Sequence, residues 1–75
     1  MCLGVPARVA AVVEEDGLRM GDVDFGGAAR RVCLAYTPEA ELGDWVVVHA
    51  GFAIAVIDAA EAAATLQALA AIGEG

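Results

Sequence analysis

Short valine-rich runs broken by glycine and acidic turns fill the chain as far as Ile57, and an unbroken alanine-rich run follows. From Val5 to Val13 the residues are apolar and rich in valine, which predicts a strand ending at the polar group Glu14-Glu15-Asp16-Gly17, a hairpin turn. Leu18, Met20, Asp22 and Asp24 then alternate with Arg19, Gly21, Val23 and Phe25, predicting a second strand with Gly21 a candidate bulge. Gly26-Gly27 supplies the positive φ angles of a two-residue loop, so Ala28 to Ala35 should return antiparallel. Arg31, Cys33 and Ala35 then share one face, and Val32 and Leu34 the other. The polar stretch from Thr37 to Asp44, with a proline and a glycine, is read as a loop and as the most mobile segment. Trp45 to Ala50 and Phe52 to Ile57, parted by Gly51, predict two strands or one strand kinked at the glycine, largely buried in either case.

Beyond Ile57 the pattern changes. Asp58 offers a capping oxygen, Glu61 stands three residues on, and Ala59 to Ile72 consists almost wholly of strong helix formers, with Gly73 to close the helix. Ala59, Ala62, Leu66, Leu69 and Ala70 or Ile72 form an apolar stripe to lay against a sheet. Short strands, glycine turns and one closing helix predict a mainly β fold, a small OB-like antiparallel barrel with a C-terminal α-helix. A chain of 75 residues cannot enclose two cores, so residues 1–75 are read as one domain, the barrel spanning about 3–57 and the helix about 59–72. So small a core makes a partner surface a live expectation.

Charge removes one class of function. The net charge is −7, there is no lysine, and Arg8, Arg19, Arg30 and Arg31 are set among eleven carboxylates. Nucleic-acid binders neutralise phosphates with clustered cations, so no nucleic-acid partner is expected. Acidic residues and glycines interrupt every apolar run before it reaches membrane-spanning length, and no charged leader precedes an apolar segment. No membrane association and a cytoplasmic location follow as expectations.

The candidate chemistry is sparse. Cys2 stands one residue from the start of the sequence, where a core cysteine is seldom placed, yet Leu3 and Val5 offer a buried alternative in which the thiol is inert. A functional Cys2 acts as a thiolate, the form that binds metals. His49, the single histidine, lies in an apolar run and reads first as a structural residue kept neutral by burial; its imidazole also suits a metal. Cys33 lies mid-strand with no Cys-x-x-Cys or Cys-His spacing and is read as structural. Gly4 and Pro6 are backbone devices, glycine permitting an unusual turn beside the thiol and proline fixing φ, which together aim Cys2 outward. No nucleophile-base pair or phosphate loop appears, so catalytic turnover is not expected.

Met1-Cys2-Leu3-Gly4-Val5-Pro6 at the start, Gly43-Asp44-Trp45-Val46-Val47-Val48-His49-Ala50-Gly51-Phe52-Ala53-Ile54 later, and an acidic helix start at Asp58 together resemble the HypC/HupF family of nickel-iron hydrogenase maturation chaperones. The resemblance covers nearly the whole chain and implies an OB-like barrel with a C-terminal helix. It implies an accessory protein, not an enzyme, that carries iron transiently as an Fe(CN)2CO centre. Cys2 would then be the iron-binding and partner-binding thiol, and His49 would assist at the iron or the interface. The implied partners are a HypD-like iron-sulfur protein and the precursor of the hydrogenase large subunit. Soft thiolate sulfur suits iron held by strong-field diatomic ligands, and a partner's ligand can complete the site. Ala7 departs from the family's pattern, where glycine commonly follows the proline.

Two other readings follow from the residues alone. A thiol-based redox sensor would need Cys33 to resolve Cys2, with Cα atoms within about 7 Å, a separation the reading does not expect. A generic binding barrel for nucleic acid would need more exposed aromatics than Phe25, Tyr36, Trp45 and Phe52, together with a basic groove.

Overall fold

The computed structural model describes the chain from Gly4 to Glu74, with side chains as far as Leu69. Its elements are β1 (Val5–Glu15), β2 (Leu18–Asp24), β3 (Ala29–Cys33), β4 (Trp45–His49), β5 (Phe52–Ile57) and α1 (Ala59–Glu74). The strands close into a barrel in the order β1-β2-β3-β5-β4. β1 is long enough to serve both sides of the closure: Val5 to Arg8 pair with β4, and Arg8 to Glu15 pair with β2. Four seams are antiparallel, as expected, and β3 meets β5 in parallel through the single pair Cys33 and Phe52.

Turn chemistry sets the hairpins. Asp16 and Gly17 adopt φ of 53° and 81°, and Gly26 and Gly27 adopt 76° and 111°, the positive values a two-residue loop demands. The Asp24 carboxylate accepts the Gly27 N–H at 2.6 Å and fixes the second loop. Gly21 is not a bulge. It pairs regularly with Val12, while the register slips on the facing strand at Ala10, between Val9 and Ala11. Gly21 is required for space: a Cβ there would stand 2.8 Å from Leu34 Cδ1.

Alternation carries Ala7, Val9, Val23, Val32, Leu34, Val46, Val48 and Ala53 into one core, joined by Ala40 from the connecting segment. That segment corrects the expectation of a mobile loop. Thr37 and Ala40 are buried, Gly43 N–H donates to Val9 O, and the Arg19 guanidinium donates to Ala40 O at 2.6 Å. Its polar composition satisfied its own backbone in turns, so it packs as a plug instead of extending into solvent.

β4 and β5 are two strands, but β5 is not largely buried: Phe52 and Ile54 face outward and Ala53 inward. At the helix start the Glu61 N–H donates to Asp58 Oδ1 at 2.7 Å, the expected cap. The buried face is narrower than the predicted stripe. Ala62 is buried and Thr65 and Leu69 half-buried, whereas Ala59 and Leu66 are exposed. The helix also runs on through Gly73 to Glu74.

Candidate functional site

Along β4 the two-residue period sends Val46 and Val48 into the core and Trp45, Val47 and His49 outward. His49 ends the strand and is exposed, which corrects the reading of a buried histidine held neutral by its surroundings. The apolar run around it was a strand with one wet face. Ala50 and Gly51 then make the turn with φ of 55° and 85°, and Phe52 returns directly opposite His49. Gly51 is therefore a turn glycine, and its carbonyl accepts the Cys33 N–H at 2.9 Å, tying this hairpin to β3.

The N-terminal segment arrives at the same end of the barrel. Val5 pairs with Val48 and Pro6 with Val47. Gly4 lies so close to β4 that a Cβ on it would collide with Val47 Cγ1 and stand 3.1 Å from the Val48 carbonyl. Glycine is needed there for close approach, a reason different from the turn that the sequence suggested. Pro6 is fully buried at a point where β1 has a neighbour on one side only, which is where a strand accommodates a residue without N–H. Ala7 is buried opposite Val46, so its extra methyl group fills core space.

Cys2, named from the sequence as the principal thiol, lies outside the described residues, and so does its separation from Cys33. Cys33 is a buried free thiol beside the seam between β3 and β5, in keeping with a structural role. Among the described residues no three of His, Cys, Asp and Glu gather as a metal site. The sequence reading missed an exposed aromatic pair: the rings of Tyr36 and Phe52 stand 5.6 Å apart at 43°, next to the His49 turn. Phe52 was legible as the residue facing His49 across a turn at Gly51. Tyr36 stands two residues past Leu34, on the parity of the inward face, so alternation gave no sign that it is exposed.

A second feature lies where α1 crosses the barrel, a mostly apolar cavity of about 170 Å³ bordered by Val5, Pro6, Phe25, Trp45 and Leu66. A shallower one of about 290 Å³ is bordered by Arg8, Asp24 and Leu42. Neither includes His49. Among the described residues no helix is long and apolar enough to cross a membrane.

Comparison with known proteins converges on one family. The HupF/HypC family model matches residues 1–69. Hydrogenase maturation factor HypC of Synechocystis is 43% identical over 75 residues, covering 97% of this chain and 99% of its own. Hydrogenase maturation factor HypC of Rhodobacter capsulatus is 45% identical over 78 residues, covering 99% of this chain and 80% of its own. Hydrogenase maturation factor HybG of Escherichia coli K12 is 47% identical over 73 residues, covering 92% and 88%.

Proposed function

The chain belongs to the HupF/HypC family, and from that premise we propose that it is a hydrogenase maturation chaperone that carries an Fe(CN)2CO centre on Cys2. In this reading it receives the centre with a HypD-like iron-sulfur partner and delivers it to the precursor of a nickel-iron hydrogenase large subunit. The observation that carries the reading is the seat of Gly4 against Val47 and Val48, one residue from exposed His49. Two peptide units tether Cys2 to Gly4, so its Cα stays within about 7.6 Å of the Gly4 Cα. The reading joins this thiol and the exposed His49 imidazole in one shared site.

The chemistry suits a carrier. A thiolate is a soft, strongly donating ligand for iron bearing diatomic ligands, and one imidazole nearby adds a borderline ligand or a hydrogen-bond donor. Two protein groups cannot close a coordination sphere. A sphere left open to a partner's ligand permits the iron to be handed on, which a closed four-ligand site would resist. The protein's part is to hold and present the centre, with no turnover of its own.

The test is anaerobic co-purification of wild-type, Cys2→Ala and His49→Ala chains with a HypD-like partner, followed by infrared spectroscopy for iron-bound cyanide and carbon monoxide. Bands are expected with wild type, none with Cys2→Ala, and weakened bands with a folded His49→Ala chain. Equal bands from wild type and Cys2→Ala, or no bands on any chain beside a loaded partner, would sink the carrier reading.

A further inference from the structure

Two hairpins turn through the same backbone geometry with different residues. Asp16-Gly17, between β1 and β2, adopts φ of 53° and 81°, and Ala50-Gly51, between β4 and β5, adopts 55° and 85°. Aspartate is one of the few side chains that tolerate the left-handed region, because its short polar group bonds to nearby backbone. Alanine has no such compensation, and its Cβ crowds the following carbonyl there. The residue suited to the turn therefore stands at one hairpin, and the strained one stands directly after exposed His49.

Few bonds hold Ala50 in this conformation. The β4–β5 register slips at Ile54, between the pairs Val47–Ala55 and Val48–Ala53, so only Val48–Ala53 and His49–Phe52 lie between this bulge and the turn. A bulge interrupts the ladder, and the short tip beyond it loses the support of continuous pairing. Toward β3 the turn is tied by the bond from Cys33 N–H to the Gly51 carbonyl, where β3 and β5 share a single pair. Ala50 and Gly51 are both exposed, so burial adds nothing to hold them. Strained backbone persists only as far as its surroundings dictate it, and it gathers where a side chain has to be held and let go.

We infer that Ala50 is a positioning residue for His49, its left-handed strain poising the turn between a closed form that fixes the imidazole and an open form that releases it. On opening, Ala50 returns to negative φ and the bond from Cys33 to Gly51 breaks. The inference rests on the carrier reading above, to which it adds how an imidazole that assists at the iron withdraws when the iron is handed on. A group that helps to hold cargo and then yields it needs two states, and strain in the holding state narrows the gap between them. An asparagine at position 50 would favour the closed form, since Asn-Gly suits this turn, and a β-branched residue would favour the open one.

Amide exchange and ring relaxation are measured by NMR on the full chain, on Ala50→Asn and Ala50→Val, and on Asp16→Ala, which gives the β1–β2 turn the same alanine. Exchange at the Cys33 amide, whose acceptor lies in the turn, is expected to slow about fivefold in Ala50→Asn and to quicken by a similar factor in Ala50→Val, with the β1–β2 amides unmoved. Micro- to millisecond exchange broadening of the His49 ring should be present in wild type, suppressed in Ala50→Asn and stronger in Ala50→Val, and Asp16→Ala should leave it as in wild type. If Ala50→Val fails to fold, Ala50→Asn decides, because asparagine suits the observed turn. With iron loaded, Ala50→Asn should deliver it to the large-subunit precursor about fivefold more slowly, read as the loss of infrared bands from the chain. Equal Cys33 exchange in the wild-type and Ala50→Asn chains, equal slowing of the β1–β2 amides, a His49 ring without exchange broadening, or delivery from Ala50→Asn at the wild-type rate would each overturn the hinge. If no chain carries the bands, the carrier reading falls on its own test, and the exchange data on the unloaded chain still decide whether Ala50 governs the turn.

Discussion

A methyl group at Gly4 would occupy the space of Val47 Cγ1 and press on the Val48 carbonyl. The Val48 carbonyl is backbone of β4, and Val47, half-buried on the outer face, would have to turn its side chain away. Gly4→Ala should therefore lift the first rungs of the β1–β4 ladder and cost about 1–3 kcal/mol, the usual range for overpacking. Urea unfolding measures it, and a midpoint equal to wild type would show that the chain start moves aside freely. The same position shows what a sequence conceals. A glycine beside a cysteine reads as a turn, while its true neighbour is some forty residues away in the chain, a long-range fact with no local trace. His49 was more legible, since the alternation Val46, Val48 inward places it outward, but the unbroken apolar composition around it masked the period.

Arg31 joins three strands on the outside of the barrel. From β3 it donates to Asp22 on β2 at 2.5 Å and to Glu15 at the end of β1 at 2.7 Å. The Arg31 hydrogen bond, with a smaller attraction of charge, holds the Asp22 carboxyl below the usual carboxylate range, and desolvation opposes it only in part. A depressed carboxyl stabilises the fold above its unfolded pKa and loses that contribution as pH falls through its folded value. The stability difference between wild type and Arg31→Gln should therefore be level near neutrality and shrink below about pH 4, where an ordinary aspartate takes up its proton. It should also shrink in high salt, because the groups are exposed. Denaturant midpoints of both chains across that range provide the check, and a gap that persists under acid would mean that Arg31 acts by packing its stem. Strands and turns of this kind were legible from alternation and from Asp16-Gly17 and Gly26-Gly27, whose chemistry is local. The buried course of 37–44 was not, because polar residues that bond to their own backbone look like solvent-facing residues in a sequence.

Closure of the barrel depends on unequal seams. β1 with β2, β2 with β3, and β4 with β5 run over ladders of five or more paired residues, whereas β3 and β5 meet at Cys33 and Phe52 alone, helped by the bond from Cys33 N–H to Gly51 O. A mainly β barrel with one helix could be read from the pattern, but strand order could not, since a single parallel pair between segments eighteen residues apart leaves no periodic signal. The physical consequence is a weakest seam where the least backbone bonding holds the wall, and local opening follows such seams before global unfolding. Cys33 reports on it because its thiol is buried beside that pair. In a Cys2→Ala background, labelling of Cys33 by a disulfide reagent should depend on urea much more weakly than global unfolding does, since opening one seam exposes little surface. The Cys33 amide should likewise exchange with solvent faster than amides in the β1–β2 ladder. A labelling rate with the full urea dependence of unfolding would mean that the barrel opens as one unit and that the plug formed by Thr37 and Ala40 holds the wall as firmly as the longer ladders do.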